Sequence, residues 1–253
     1  MQLLVSVSDT AEALAALAGG ADLIDAKDPF AGALEPVSVE TLGAIYAAIA
    51  RERPVTAALG DAADEAAIES VARDFAAAGA AFVKVGFAGI ASAGRASSLV
   101  TAAARGARQG RARTGVVAVA YADADRVGGL PPPELAEVAA AAGIEGFLID
   151  TADKDGPGLC SLVEPSMLAA WVAEAHAAGL VVALAGKLKA NDLRFVRDIG
   201  ADIAGVRGAA CKGGRRGQVT AGRVRLLRER CVASTRSAGT TVHRIPSGSA
   251  CGK

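Results

Sequence analysis

The sequence predicts an α/β protein whose eight parallel strands and eight helices close into a (β/α)8 barrel, the TIM-barrel fold. Short apolar, β-branched runs alternate with alanine-rich amphipathic segments eight times along the 253 residues, and strict strand–helix alternation requires a parallel sheet. Four helix ends share one glycine-containing link into the next strand. Apolar residues make up 52% of the chain, which is enough to bury the core of a single barrel of this length.

The predicted strands are apolar runs bounded by glycine or polar residues. They lie at 2–6, 22–27, 54–59, 81–85, 115–121, 145–150, 181–185 and 202–207. The amphipathic segments between them predict helices at 9–19, 38–50, 64–78, 95–110, 132–142, 165–178, 190–199 and 219–230.

Polar and proline residues support the starts of these helices. Asp9, Ser38, Asp64 and Asn191 stand where helix N-caps would fall, because their short side chains can accept a free backbone N–H of the first turn. The run 131–133 consists of three prolines, which can begin the fifth helix but cannot lie inside one.

Glycines support the ends of the helices. The links Gly19–Asp22, Ala78–Ala81, Ala142–Glu145 and Ile199–Asp202 all place glycine just after a helix and just before a strand. Glycine adopts the left-handed backbone conformation that commonly ends a helix. The recurrence therefore indicates a structural repeat rather than a binding motif.

The chain divides into one predicted barrel domain, residues 1–230, and a C-terminal tail, residues 231–253. The tail is rich in Ser, Thr and Gly with little apolar periodicity, which is typical of a flexible segment. Packing across an interface between subunits is the alternative, and a homo-oligomer is possible.

Composition excludes several function classes. Lys+Arg and Asp+Glu are balanced at 27 each, so charge gives no support for binding nucleic acid or a membrane surface. The sequence shows no apolar run of the length that spans a membrane and no basic leader typical of a signal peptide. We expect a cytoplasmic protein.

The cysteines and histidines are too few and too scattered to predict a metal site. Four cysteines form no CxxC pair and there are two histidines, whereas structural zinc needs four clustered ligands. We expect reduced thiols, no metal and no cofactor. Cys211 is interpreted as a small packing residue rather than a nucleophile, because no histidine ends a strand nearby.

Lysines and carboxylates at strand ends carry the functional prediction. Asp25 and Lys27 share a face of the second strand, Lys84 ends the fourth, and Asp150 ends the sixth with Lys154 shortly after. Alternate strands of a barrel contribute to the same interior layer, and active sites lie at the C-terminal ends of strands. These side chains should therefore converge at one mouth.

Two interpretations of this convergence remain. A structural network of buried ion pairs is one. The other is carbonyl chemistry, because a lysine whose pKa is lowered by burial or by a neighbouring cation forms a Schiff base. Tyr121 and Asp123, at the end of the fifth strand, are either auxiliary proton donors and orienting groups or ordinary rim residues.

The loops after the seventh and eighth strands predict a phosphate site. Gly186 and Lys187 follow one strand, and Arg207 and Gly208 end the other, opening a glycine-rich, basic loop that extends to residue 217. In this fold, backbone N–H groups of these two loops frequently bind phosphate. An ordinary solvated loop has a similar composition.

Ordered motifs between residue 2 and about residue 230 are similar to those of one known family. They are Leu3–Ser6, Gly19–Pro29, Val83–Gly86, Tyr121–Asp123, Asp150–Gly156, Leu184–Lys189 and Gly205–Cys211. The sequence thus resembles the (5-formylfuran-3-yl)methyl phosphate synthases, the furan-forming enzymes of methanofuran biosynthesis. Val7 and Asp28 depart from the family pattern, which often has proline and asparagine there.

The resemblance implies a TIM-barrel carbon–oxygen lyase that acts on phosphates. It would join two triose phosphates, supplied as glyceraldehyde 3-phosphate, into a phosphorylated furan aldehyde, with loss of phosphate and water. Lys27 matches the family's Schiff-base lysine and Lys84 its proton-transfer lysine. Asp25, Asp150 and Lys154 match further active-site positions.

Two other functions fit the same residues. A class I aldolase acting on one sugar phosphate would share the lysines and the phosphate loops but release a linear product. A non-catalytic barrel that senses a sugar phosphate would bind its ligand without turnover.

Overall fold

The computed structural model describes residues 1–232 and shows the predicted closed barrel. Eight parallel strands follow one another in sequence order, and the last pairs with the first. They are β1 (Gln2–Val7), β2 (Leu23–Ala26), β3 (Val55–Asp61), β4 (Phe82–Gly86), β5 (Gly115–Tyr121), β6 (Gly146–Asp150), β7 (Val181–Leu184) and β8 (Ile203–Val206).

Helices cover the outside of the barrel between successive strands. They are α1 (Thr10–Ala18), α2 (Val39–Ala48), α3 (Glu65–Ala77), α4 (Ala93–Gly110), α5 (Ala124–Val127), α6 (Pro132–Ala141), α7 (Leu159–Leu162), α8 (Pro165–Ala177), α9 (Asp192–Asp198) and α10 (Ala221–Cys231). The sequence did not predict the two four-residue helices, α5 and α7, which lie in the loops after β5 and β6.

The segment after β8 is more ordered than predicted. A single 3-10 turn, Gly208–Ala210, leads into a small antiparallel hairpin. Its strands are β9 (Cys211–Lys212) and β10 (Gln218–Val219), in which Lys212 pairs with Gln218. This hairpin lies at the C-terminal ends of the barrel strands, where it can contact the mouth.

Three of the four predicted N-caps make the expected hydrogen bond. Asp9, Ser38 and Asp64 each accept the backbone N–H of the residue three positions on, at 2.9 to 3.1 Å. Asn191 occupies the N-cap position of α9 without a capping bond from its side chain. Asp192 instead accepts the N–H of Lys189 at 2.7 Å, because a tight turn precedes this short helix.

The predicted glycine links are confirmed by the backbone. Gly20, Gly79, Gly143 and Gly200 all have positive φ, between 66° and 114°. A side chain at such angles is strained, so glycine at these places ends the helix and directs the chain into the next strand.

Helices α3 and α4 approach each other unusually closely. A Cβ atom placed on Gly106 of α4 would lie 2.0 Å from the carbonyl oxygen of Glu69 in α3, and one on Gly110 would lie 2.0 Å from that of Arg73. Two glycines one turn apart therefore let the two backbones touch outside β4, the strand that both helices contact.

Small side chains leave the barrel interior partly open. Outward-facing strand residues such as Val83 are fully buried against the helices. Inside the barrel, a smaller apolar cluster fills one side, formed by Leu34, Ala58, Val119, Tyr121 and Leu148. A cavity of about 640 Å³ occupies the remainder, where Gly146, Ala183 and Gly205 present almost no side chain.

The end of the described chain lies slightly beyond the predicted domain boundary at residue 230. Helix α10 ends at Cys231, whose side chain is buried in the core. The predicted tail falls outside the described residues apart from Cys231 and Val232. No helix within residues 1–232 is both long and apolar enough to cross a membrane.

Candidate active site

The structure brings all five predicted catalytic residues to one cavity at the C-terminal ends of the strands. Asp25 lies in β2 with Lys27 just after it, Lys84 lies in β4, and Asp150 ends β6. Lys154 enters from the loop after β6. All five line the cavity of about 640 Å³.

Asp25 lies at the centre of a buried hydrogen-bond network. It has no exposed surface, and its carboxylate accepts hydrogen bonds from Ser6 Oγ at 2.9 Å and Thr56 Oγ1 at 2.6 Å. These three residues are in register across β1, β2 and β3. Ser6 and Thr56 were not predicted as site residues. Their signal in the sequence was a polar residue at an inward-facing strand position.

Lys84 forms an ion pair with Asp25. Its Nζ lies 2.6 Å from Asp25 Oδ1, and both side chains are almost fully buried. Burial alone would raise the pKa of Asp25, but the charges of Lys84 and Lys27 reverse that effect and hold it below its usual value. Asp25 is therefore ionised and able to compensate a positive charge on Lys84.

Lys27 is the lysine of this group without a carboxylate partner. It is 7% exposed, and it forms no salt bridge within the described residues. Its Nζ donates to the Ala33 carbonyl oxygen at 3.4 Å. Burial, with a smaller contribution from Lys154 and Lys84, lowers the pKa of Lys27 to about 8, against Asp150 and Asp25, which raise it.

Asp150 and Lys154 form the second ion pair of the cavity. Lys154 Nζ lies 2.6 Å from Asp150 Oδ1 and also donates to the carbonyl oxygen of Thr151. Burial would raise the pKa of Asp150, but Lys154 and Lys27 outweigh it and hold the pKa below its usual value. This pair places one positive and one negative charge beside the Lys27 amine.

Tyr121 and Asp123 differ in what they contact. The Tyr121 hydroxyl donates to Asp61 Oδ1 at 2.9 Å, and burial followed by the Asp61 charge raises its pKa far above the ordinary value. Asp123 accepts the backbone N–H groups of Ala152 and Asp153 at 2.7 and 2.9 Å. Asp123 therefore orients the loop that carries Lys154, and Tyr121 stays protonated.

The predicted phosphate region contains backbone donors that are not used internally. Gly186 and Gly208 line the cavity. Within residues 1–232 their N–H groups have no acceptor, and neither do those of Lys187 and Ala209. Gly186 has a φ of 91°, and a Cβ there would approach Thr151. The Lys187 side chain donates to the Gly156 carbonyl oxygen instead of to the cavity.

Arg207 has a different role from the one predicted. Its guanidinium forms a buried ion pair with Glu12 of α1, with Nη2 3.0 Å from Oε1. The other N–H groups donate to the carbonyl oxygens of Ser6, Arg215 and Gly217. All five donors of an arginine are thereby used, so Arg207 holds the loop after β8 in place and has no N–H left for an anion.

Arg215 is a cavity residue that the sequence did not single out. It lies in the β9–β10 connection, lines the cavity, and donates to the carbonyl oxygens of Pro29 and Gly32 in the loop after β2. It thus joins the loop after β2 to the segment after β8 at the mouth of the barrel. The basic run around residues 212–216 was its signal in the sequence.

The ionisable groups that line the cavity include lysine amines and aspartate carboxylates. Within residues 1–232 no group of three or more His, Cys, Asp or Glu side chains is placed to hold a metal ion. Burial raises the pKa of the Cys211 thiol, which agrees with a packing residue. A buried amine of lowered pKa beside a Lys–Asp pair can form an imine with a carbonyl compound and move a proton.

Comparison with known proteins identifies relatives along nearly the whole described chain. The family model described as 4-HFC-P synthase matches residues 3–228. The (5-formylfuran-3-yl)methyl phosphate synthases of Methanopyrus kandleri and Methanocaldococcus jannaschii are each 40% identical to this chain. The matches cover 90% and 91% of it, and 98% and 100% of the relatives.

A bacterial relative is equally similar. The putative (5-formylfuran-3-yl)methyl phosphate synthase of Streptomyces griseus is 39% identical, with coverage of 85% of this chain and 88% of that protein.

Solved structures with low sequence identity share the fold. A 3-hexulose-6-phosphate synthase superposes with a TM-score of 0.62 at 21% identity, covering 92% of this chain and 100% of that one. KGPDC from Streptococcus mutans has a TM-score of 0.65 at 15% identity, covering 91% and 96%. At these identities the likeness shows the barrel alone, whereas the sequence relatives show the family. This chain belongs to the (5-formylfuran-3-yl)methyl phosphate synthase family.

Proposed function

We propose that this protein joins two molecules of glyceraldehyde 3-phosphate into (5-formylfuran-3-yl)methyl phosphate through an imine at Lys27. The atoms balance when one phosphate and two waters leave. The observation that carries the proposal is a lysine, only 7% exposed, that lines the same cavity as a Lys–Asp pair; burial lowers its pKa to about 8. By the resemblance, the product would serve methanofuran-type cofactor biosynthesis.

The lowered pKa supplies the nucleophile. At pH 7 about one tenth of an amine with a pKa of 8 is neutral, against roughly one in three thousand for an ordinary lysine. The neutral Lys27 Nζ attacks the aldehyde carbon, and loss of water from the carbinolamine gives the iminium. Asp150 and Asp25, which face Lys27, compensate the positive charge that forms.

The iminium draws electrons from the neighbouring carbon, whose proton must then be removed. Lys84 lies in the same cavity with Asp25 as its ionic partner at 2.6 Å. In the proposal Lys84 moves this proton, and Asp25 keeps the local charge balanced as the proton comes and goes. The enamine then expels phosphate from carbon 3 of the imine-bound triose. Carbon 3, now the CH2 end of an enol, attacks the carbon-2 carbonyl of the second triose phosphate, which has isomerised to its ketone form, and this makes the new C–C bond.

Phosphate is lost before the C–C bond forms, and ring closure then releases the two waters. Phosphate leaves by elimination with its oxygen carrying the electron pair of the broken C–O bond. Each lost water needs a proton delivered to a departing hydroxyl. Lys154, which lies 2.6 Å from Asp150, is the proposed donor and counter-charge at this side of the cavity.

The first substrate phosphate is proposed to lie between the loops after β7 and β8. The unused N–H groups of Gly186, Lys187 and Gly208 support this position, because a cluster of backbone N–H groups favours an anion. Arg207 acts here by fixing the second loop through Glu12 rather than by contact.

Incubation with glyceraldehyde 3-phosphate alone, followed by mass analysis of the products, tests the function. A furan aldehyde absorbing in the near ultraviolet is expected. A linear aldol product would show an aldolase, and binding without turnover would show a sensor. Either result would overturn the proposal.

Borohydride reduction in the presence of substrate tests the imine separately. A covalent adduct is expected on Lys27, and Lys27→Arg should abolish both adduct and turnover because a guanidinium does not form the imine. An adduct on Lys84 or Lys154 would show that the nucleophile has been assigned to the wrong lysine.

A further inference from the structure

A second cavity opens at the barrel mouth beside the one that holds Lys27. Its volume is about 590 Å³, and three loops form its walls: the loop after β2, the loop after β6 and the β9–β10 connection. The side chains relevant to its chemistry are Phe30, Asp153, Lys154, Asp155, Arg215 and Arg216.

The two cavities share a wall. Lys154 and Arg215 line both of them. A molecule whose reacting carbon lies beside Lys27 can therefore have a neighbour whose charged end lies in the second cavity. Lys154 and Arg215 lie between the two molecules in this arrangement.

The arginines of the second cavity keep free donors. Arg216 is exposed and forms no salt bridge or hydrogen bond within residues 1–232. Arg215 directs one N–H each to Pro29 and Gly32, which leaves three of its five donors. The backbone N–H groups of Gly213 to Arg216 also have no acceptor in the described part of the chain.

The two carboxylates of the cavity are not equivalent. Asp153 accepts the N–H groups of Asp155 and Gly156 at 2.9 Å and lies 3.7 Å from Arg126, so its charge is held by its own surroundings. The carboxylate of Asp155 has no hydrogen-bond or ionic partner within residues 1–232. Lys154 is paired with Asp150, so the two arginines face one uncompensated carboxylate. The cavity therefore keeps a positive charge suited to a phosphate dianion.

We propose that this cavity, between Arg215 and Arg216, holds the phosphate of the second triose phosphate, the molecule that is not bonded to Lys27. The inference rests on the proposed function, in which two substrates bring two phosphates and the backbone donors of Gly186 and Gly208 hold only one. Arg215 and Lys154, common to both cavities, direct the second carbonyl towards the enamine.

Arg216→Ala, made in the full chain, should affect binding of the second substrate molecule and not of the first. Adduct trapping at Lys27 needs only the first molecule, so its half-saturating concentration of glyceraldehyde 3-phosphate should stay within twofold of wild type. Furan formation needs both molecules, and its half-saturating concentration should rise about tenfold or more, as for a lost charge-assisted hydrogen bond. Arg216→Lys should recover most of the difference.

Two further variants control for overall charge. Lys212→Ala removes the same charge from the same hairpin at an exposed residue that lines neither cavity, and it should leave both concentrations unchanged. Asp155→Asn removes the uncompensated carboxylate, which repels a phosphate. The half-saturating concentration of glyceraldehyde 3-phosphate for furan formation should therefore fall, by only about two- to fivefold because exposed charges act weakly.

The outcomes distinguish this site from the proposed function. If wild type forms furan and Arg216→Ala leaves its concentration dependence unchanged, the second site is wrong and the function stands. Equal effects on trapping and on furan formation, or an equal effect of Lys212→Ala, would also overturn the site. If wild type forms no furan aldehyde, the function fails and this site fails with it.

Discussion

The protonation of Lys27 should decide how the protein responds to pH. Because its pKa is about 8 and only the neutral amine attacks a carbonyl, the rate of adduct formation at low substrate should rise with pH and level off above about 8. Initial rates of borohydride-trapped adduct between pH 6 and 9.5 give the midpoint. A flat profile would show that the attacking amine does not titrate in this range.

Neighbouring charges should move this midpoint in opposite directions. Asp150 raises the pKa of Lys27 and Lys154 lowers it. Asp150→Asn should therefore shift the midpoint to lower pH, and Lys154→Met should shift it to higher pH. Shifts of the same sign in both variants would contradict the assigned electrostatics.

The lowered pKa of Lys27 also implies a cost in stability. Its pKa is about 8 in the fold against 10.5 for an ordinary lysine, and one pKa unit corresponds to about 1.4 kcal/mol. The cost is fully present below pH 8 and disappears as pH rises through 10.5. Lys27→Met should raise the free energy of unfolding at pH 7 by about 3 kcal/mol, measured by urea denaturation, with less gain at pH 10.

A variant of Lys84 should distinguish its role in proton transfer from its role in stabilising the fold. Removing a general base typically costs about a hundredfold to ten-thousandfold in rate, so Lys84→Ala should lose that much turnover while Lys27 is still trapped by borohydride. It should also stop exchange of the substrate's carbon-bound proton with deuterium oxide.

Asp25→Asn is the matched control for that variant. It breaks the same ion pair but keeps the Lys84 amine, so it should lose stability and retain measurable exchange. Wild-type exchange in Lys84→Ala, per folded molecule, would exclude Lys84 as the proton carrier and make Asp150 the next candidate.

At the scale of elements, the close contact between α3 and α4 depends on Gly106. An added methyl group would lie 2.0 Å from a backbone oxygen, and backbone cannot move aside as a flexible side chain can. Gly106→Ala should lower the free energy of unfolding by about 1–3 kcal/mol. Thermal and urea denaturation measure the change.

Gly43 in α2 provides the control for Gly106. No atom lies within 4 Å of a Cβ built there, so Gly43→Ala should raise the free energy of unfolding by about 0.5–1 kcal/mol through helix propensity alone. Loss of stability in both variants would point to a general intolerance of these helices rather than to the close approach.

Regular elements were predictable because their signals are local. The strand Phe82–Gly86, for example, is indicated by an apolar run of four or five residues. Gly79, just before it, indicates the end of the preceding helix. The four-residue helix Ala124–Val127 was missed because one turn is too short to show a helical period.

The site was predictable where strand alternation alone places a side chain. Asp25, Lys84 and Asp150 follow from parity within their strands. The contacts of Arg207 could not be predicted because its partner, Glu12, lies 195 residues away in the sequence. No local sequence pattern indicates a buried ion pair between residues so far apart.

At the scale of the molecule, the described residues contain every element that closes the barrel. Within residues 1–232, Cys231 is the last buried side chain, and Arg197 donates to the Val232 carbonyl oxygen at 3.1 Å. A chain ending at Val232 should therefore keep the melting temperature within about 1 °C of the full chain, below the roughly 2–4 °C expected for 1 kcal/mol, and keep its rate per molecule.

A chain ending at Arg230 is the matched comparison for that truncation. It loses the buried Cys231 side chain as well, and its melting temperature should fall measurably. A large loss of stability on ending the chain at Val232 would show that residues 233–253 pack on the barrel.

The Glu12–Arg207 ion pair closes the seam between β1 and β8, and this position has a consequence for synthesis of the chain. Lys27 is translated roughly ten to forty seconds before Arg207 at ordinary ribosomal rates. Until the seam closes, water reaches the nascent barrel interior, and the Lys27 amine keeps the ordinary basicity of an exposed lysine. We therefore expect the unfinished polypeptide to react more slowly with aldehydes at neutral pH than the folded chain does, because burial lowers the pKa of Lys27 only after β8 has paired with β1.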